Sequence, residues 1–178
     1  AASSSSASKV RCFQCLAEVE LRRIRQHVGD HILKWLRDVH ENLKGDAIVK
    51  MPCGFCGRSG VAACNEVFLT KGRSPQAKSG CQYAYQFKYQ PSLKPSKTSP
   101  CTNVPILCRI PGCTGTVGEK LTAVWKYNMA EHIRLFHPGY TSSYNDIGMA
   151  PLPPGMMEEM YVSVEEEIFM KIPNEKIP

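Results

Sequence analysis

Apolar positions recur at helical spacing in two stretches of the chain. Ile24, Val28, Ile32, Trp35 or Leu36, Val39 and Leu43 form one stripe, which predicts a long helix over 20–43 with Gly45 as its stop signal. Trp125, Met129, Ile133 and Phe136 form the other, which predicts a helix or a strand-to-helix entry over 123–136, ended by Pro138 and Gly139. Between them the period changes. In QYAYQFKYQ, Tyr83, Tyr85, Phe87 and Tyr89 alternate, so a strand would carry all four rings on one face. Near the end, Val164, Ile168, Phe169 and Ile172 allow a short amphipathic helix over 163–171, with Ser163 as N-cap and Glu166 three residues on. PSLKPSKTSP, residues 91–100, has no periodicity and reads as a loop.

These stretches are short and broken by 13 glycines and 13 prolines, which argues against one large core although 43% of residues are hydrophobic. Small modules held by something besides apolar burial fit better. No apolar run approaches the roughly 20 residues that cross a bilayer, and no membrane partner is expected. AASSSSASK at the start lacks the apolar segment of a secretory signal and an initiator Met; it reads as a disordered tail, 1–9, of a fragment or processed product.

The nine cysteines and five histidines supply that other force. Close-spaced cysteines near paired histidines point to metal in a reducing compartment rather than to disulfides. Cys12, Cys15, His27 and His31 read Cys-x2-Cys-x11-His-x3-His. The cysteines can share a tight turn, and histidines at i and i+4 share a helix face. Two thiolates and two neutral imidazoles are a tetrahedral zinc set. Val19 and Ile24 stand where apolar residues can pack beneath the ion. CGFCG gives a second half-site, Cys53 and Cys56, with glycines that free the turn. Cys64, Cys81 and Cys101 compete for its two remaining places; Cys81 and Cys101 are the reading chosen, with Cys64, next to NEVFLT, as a buried thiol. Cys108, Cys113, His132 and His137 make a third set with x4 spacings and 18 residues between the pairs. His40 is left as an ordinary surface residue.

The first set resembles the classical two-cysteine/two-histidine zinc-finger family over about 20 residues, although one residue is missing between the pairs and Val19 stands where an aromatic is usual. The third, with its wide spacing and early Trp125, is similar to BED-type fingers of transposases and chromatin proteins over about 30 residues. The pattern CGFCG … PCTNVPILC … WKYNMAEHIRLFHP also resembles multi-zinc-finger proteins of mushroom-forming fungi over residues 53–139, which implies a family without a mechanism. The expected fold class is therefore small zinc-stabilised α+β modules: two classical-type fingers, 10–45 and 105–140, flanking a four-cysteine ribbon- or knuckle-like β module, 46–104. A Pro-rich linker and acidic amphipathic tail, 141–178, follow. Three zinc ions are expected.

Charge then suggests a partner. Residues 51–110 carry 8 basic side chains and 1 acidic one, whereas residues 141–178 carry 2 and 7. A basic middle suits a polyanion, and an acidic end can fold back on it. The finger resemblance implies base-reading residues at the helix start, which map to Glu20, Arg22, Arg23 and Gln26, with Arg25 and Lys34 toward phosphates. Arg58, Lys71, Arg73 and Lys88 extend the candidate nucleic-acid surface, and the alternating rings either stack bases or form core. The expected function is zinc-dependent nucleic-acid binding, most simply to double-stranded DNA in the nucleus, in a transcriptional or transposon-related setting. The alternative is a protein-interaction scaffold that uses the helix 20–43 or the acidic tail 156–172. No HExxH stands in the chain and no glutamate sits beside a Cys/His pair as in zinc deaminases, so an enzyme is not expected.

Overall fold

The computed structural model describes residues 7–143 and 146–178. Of the tail read at 1–9, residues 1–6 lie outside the described residues; Lys9 already belongs to a strand. β1 (Lys9–Arg11) and β2 (Glu18–Glu20) form an antiparallel hairpin with Val10 opposite Val19. The chain then enters α1 (Ile24–Leu36), which buries Ile24, Val28, Ile32 and Leu33 as its periodicity requires. The helix stops well short of Gly45. Asp38 takes a left-handed conformation (φ 54°), its N–H donates to Trp35 O (3.1 Å), and the Val39 N–H donates to Lys34 O (2.9 Å). That is the paired C-terminal closure usually made by glycine; an aspartate in its place hid the signal. Gly45 has another task. Its N–H donates to Gln14 O (2.7 Å), and a Cβ there would fall 2.0 Å from Phe13 O.

The segments 46–104 and 105–140, read as separate modules, share one sheet, whereas the first module keeps its own hairpin. β3 (Val67–Thr70) and β4 (Ala77–Ser79) form a hairpin, and β3 also pairs antiparallel with β7 (Lys120–Trp125), Val67 opposite Ala123. β5 (Pro105–Ile106) closes the other side of β7, giving the order β4-β3-β7-β5, and β6 (Thr116–Val117) pairs with the start of β7. α2 (Met129–Phe136) follows one 3-10 turn later. Its stripe buries Met129 and Ile133, but Phe136, expected inside, is 64% exposed because the helix ends there with that face outward.

Apolar burial is divided among three clusters, around α1, around α2 and around Phe55 with Trp125. The QYAYQFKYQ segment stitches them together without joining a ladder. Tyr83 and Tyr85 pack on the first cluster, Phe87 and Tyr89 on the second, and Tyr83, Tyr85 and Phe87 on the third. Tyr83 stacks on Phe13 at 5.2 Å between centroids, and Phe55 meets Tyr85 at 5.6 Å. The rings are half-buried packing between the clusters, not one face of a strand.

The acidic end is also built in. β8 (Tyr140–Thr141) pairs parallel with β9 (Ala150–Pro151), and α3 (Met156–Met160) and α4 (Val164–Phe169) follow. Ser163 caps α4 by accepting the Glu166 N–H (3.1 Å). Met170 and Ile172 join the α1 cluster and Met156 the α2 cluster. Each such side chain contributes roughly 1.5–3 kcal/mol by burial. Among the described residues, no helix is long and apolar enough to cross a membrane.

Candidate metal centres

Three groups of four side chains converge, each with its ligand atoms within 4.8 Å of one another: Cys12, Cys15, His27 and His31; Cys53, Cys56, Cys64 and Cys81; Cys108, Cys113, His132 and His137. In a tetrahedral site with Zn–S near 2.3 Å and Zn–N near 2.0–2.1 Å, neighbouring ligand atoms stand about 3.3–3.8 Å apart. Here Cys56 and Cys64 Sγ are 3.7 Å apart, and Cys108 Sγ is 3.7 Å from His137 Nε2. Cys15 Sγ lies 3.3 Å from His27 Nε2, and Cys113 Sγ 3.2 Å from His132 Nε2. Each group can hold a metal ion, and the donor sets are those of zinc.

The first group is built by the β1–β2 turn and one face of α1. The Cys12 N–H donates to Ala17 O (2.9 Å) and the Leu16 N–H to Cys12 O (3.0 Å), which closes the turn around both thiols. His31 is the most informative member. Its Nδ1 lies 3.0 Å from a Glu41 carboxylate oxygen, while its Nε2 is buried with no hydrogen-bond partner among the described residues. A ring held by a carboxylate on one nitrogen, with the other free toward thiolates, is oriented for a metal. Glu41 is in turn 3.6 Å from Lys34, which also grips Asp30 at 2.6 Å. Asp30, His31 and Glu41 converge as well, and Glu41 meets the ring at Nδ1. Burial lowers the His27 pKa, helped by the neighbouring His31, which favours the neutral, ligating form.

The second group corrects the sequence reading. Cys64, at the end of a 3-10 turn over Ala62–Cys64, completes it, and Cys101 does not. Cys101 is fully buried against α1 in the first apolar cluster, where its sulfur accepts the Asn103 N–H (3.4 Å). The turn around Cys53 is closed by Gly57 N–H to Cys53 O (2.7 Å) and Cys53 N–H to Arg58 O (2.8 Å). Crowding splits the thiols electrostatically. Hydrogen bonding to Cys56 drives the Cys53 pKa up, whereas the donors Cys53, Cys81 and Arg58 pull Cys56 down. Such a cluster holds negative charge that a divalent ion would neutralise.

The third group takes two cysteines from the loop before β6 and two histidines from α2 and its C-terminal cap. Burial, with His137 nearby, lowers the His132 pKa.

Side chains that spacing could not reveal link the centres. Gln14, fully buried, donates from Nε2 to Cys56 O (3.2 Å) and takes the Cys12 thiol on Oε1 (3.3 Å). Asn128 Nδ2 donates to Pro52 O (2.8 Å), and Trp125 lies so close that a Cβ on Gly54 would meet its ring at 2.3 Å. Glu41 had no ligand spacing to betray it.

The candidate nucleic-acid residues divide. Arg25 is 3% exposed: it donates to Cys101 O (3.2 Å) and Asn103 O (3.0 Å) and lies over the Phe87 ring. Gln26 exchanges hydrogen bonds with the Cys101 backbone (2.9 and 3.2 Å). Arg58 stacks on Phe13 at 4.0 Å. These three are turned inward because carbonyls or rings from distant segments claim them. Arg22, paired to Glu20 at 2.8 Å, and Arg23 remain exposed, as do Lys71, Arg73 and Lys88. Compared with family models, curated proteins and solved structures, the chain matches none, so the site geometry carries the functional reading.

Proposed function

We propose that this chain is a zinc-dependent nucleic-acid-binding protein whose polyanion surface is the β3–β4 hairpin and the segment facing it, not the helix of the first finger. The observation that carries this reading is a groove of about 620 Å³ lined by Ser74, Gln76, Lys78, Gln86, Lys88 and Gln90 with Pro75, Phe87, Tyr89 and Pro91, and with no acidic residue among them. Lys71 and Arg73, on the same hairpin, are exposed. Lysines and amides without a nearby carboxylate suit phosphates and sugars, which position a duplex without reading its sequence. α1 is unsuited to a major groove, since Arg25 and Gln26 face inward. Each hairpin followed by a ligand-bearing helix supports the finger-like reading of the first and third centres. Four ligands per ion are the closed set of structural zinc rather than the open set of a catalytic site.

Fluorescence anisotropy with a duplex tests this. Affinity should fall steeply between low and moderate salt, and Lys78→Glu with Lys88→Glu should flatten the log–log slope by about 2. A salt-independent affinity, or one those changes leave alone, would overturn it.

A protein-interaction scaffold is the second reading. Its support is a cavity of about 240 Å³ where the end of α1 meets the tail, lined by Leu36, Tyr161, Val164 and Ile177. Leu36, Tyr161 and Val164 are exposed there. One stoichiometric protein partner without a duplex shift at physiological salt would favour it.

A further inference from the structure

A cavity of about 550 Å³ shares no lining residue with the three metal groups. Leu69 of β3, Leu121 of β7, Ile106 of β5, Tyr89 and Leu93 give it apolar walls, and Tyr161 and Ser163 of the tail border it. Its polar lining is unusual. Lys126, Thr102 and Glu166 all face it, and they are 8%, 1% and 0% exposed.

The three form a relay. Lys126 Nζ donates to Thr102 Oγ1 (2.7 Å), and that hydroxyl donates to Glu166 Oε2 (2.6 Å). Glu166 is otherwise satisfied, by the Thr102 N–H (2.7 Å) and the Tyr127 hydroxyl. Lys126 is not. Its backbone N–H is used on Val104 O (2.9 Å), but among the described residues its side chain has one acceptor, where an ammonium offers three donors. A buried amine with unused donors that lines an apolar-walled cavity can meet an acceptor brought in from outside. The lining charge is balanced, Lys126 against Glu166 within the relay, Arg109 paired with Glu159, and Lys71 offset by Glu158. An anionic ligand would therefore bring an uncompensated charge beside the buried relay. The fitting group is a neutral carbonyl on a small apolar body, and a pocket of this size suits such a molecule.

We propose that this cavity binds small apolar aldehydes and that Lys126 captures them as an imine. Glu166 takes a proton from the Lys126 ammonium through the Thr102 hydroxyl. The freed amine lone pair then forms a C–N bond to the carbonyl carbon as the C–O π bond opens, and one N–H proton moves to the oxygen. Glu166 returns its proton through the Thr102 hydroxyl to the carbinolamine oxygen, the C–O bond breaks as water leaves, and the nitrogen lone pair closes the protonated C=N. No oxidant or reductant is consumed. Burial lowers the Lys126 pKa against the opposing pull of Glu166, which enlarges the reactive amine fraction.

The test is reductive trapping on the intact, zinc-loaded chain, using benzaldehyde with sodium cyanoborohydride at neutral pH and peptide mapping by mass spectrometry. The expected result is benzylation of Lys126 about tenfold ahead of Lys44, Lys88 and Lys97, which are exposed and outside the cavity lining, despite its burial. Labelling of the exposed lysines with Lys126 untouched would overturn the proposal. Leu121→Trp, which fills the cavity, should suppress Lys126 labelling while zinc content stays at the wild-type value. Leu93→Trp, on the exposed wall, serves if the first variant loses zinc. Labelling that persists with the cavity filled would mean the amine is reached from elsewhere and the pocket assignment is wrong.

Discussion

Cys101 Sγ occupies the space where any side chain on Gly29 would begin: a Cβ built at position 29 falls 2.2 Å from that sulfur. Gly29 lies in the middle of α1, where glycine costs roughly 0.5–1 kcal/mol relative to alanine. The close approach of the 101–103 segment explains the choice, and it is the contact that places Arg25 and Gln26 against the Cys101 and Asn103 carbonyls. Gly29→Ala should therefore destabilise the protein by about 1–3 kcal/mol, the usual cost of overpacking, despite its gain in helix propensity. Circular-dichroism melts should show a lower midpoint by roughly 2–4 °C per kcal/mol. A midpoint that rises would mean propensity governs and the helix is not docked as described.

The same contact separates the two cysteines that spacing alone could not. Cys64→Ser should remove one bound ion from the native mass spectrum of the zinc-loaded chain. Cys101→Ser should leave the ion count unchanged and cost stability instead, because a hydroxyl replaces a fully buried thiol. The reverse pattern would restore Cys101 as a ligand.

Why spacing failed there is instructive. Cys12, Cys15, His27 and His31 announce themselves because a turn and a helix face fix their geometry locally, and the third group does so almost as well. Neither Cys64 nor Cys101 has a partner at ligand spacing, and the NEVFLT beside Cys64 pointed the wrong way. What brings Cys64 to the cluster is a 3-10 turn followed by the β3–β4 hairpin, which returns the chain to Cys81. The Ser163 cap and the helix after it were legible for the same local reason. The burial of Glu166 and Glu167 was not, since adjacent acids read as a solvated face until Thr102, Tyr127 and Arg37 appear beside them. Arg25 follows that rule too: its acceptors lie 76 and 78 residues away.

Glu41 gives a prediction specific to the first centre. It holds His31 Nδ1 at 3.0 Å, so Glu41→Gln should weaken metal binding there about 10–100-fold, the usual effect of losing such a carboxylate. Competition with a chromophoric chelator measures it directly, and the two groups without Glu41 should keep their affinity. Equal weakening of all three would indicate a general loss of fold.

Acid should strip the metal. Burial pushes the Cys12 and Cys113 thiols up to about 11, so before metal binds they are protonated at neutral pH. The ion must displace those protons, and apparent affinity rises with pH by about tenfold per unit for each proton displaced. The sign is therefore tighter binding as pH rises and release as it falls. Adding zinc to the apo chain in weak buffer should acidify the solution. A silent pH electrode would show that the thiolates are already formed and that proton competition is unimportant.

The strongest test of the tail's role in the fold is the ion pair it makes with α1's end. Glu167 is 1% exposed and receives the Arg37 guanidinium, with Nε at 2.7 Å, while its second oxygen has no hydrogen-bond partner among the described residues. Removing the cation leaves a buried carboxylate without compensation, which costs about 3–5 kcal/mol, whereas replacing both partners by apolar groups is often neutral. Arg37→Met should accordingly lower the denaturation midpoint sharply and open the 151–178 segment to limited proteolysis. Arg37→Met combined with Glu167→Met should recover most of the loss, because Met170 and Ile172 beside it already lie in an apolar cluster. If the double variant is as unstable as the single one, the unpaired carboxylate is not the source of the penalty.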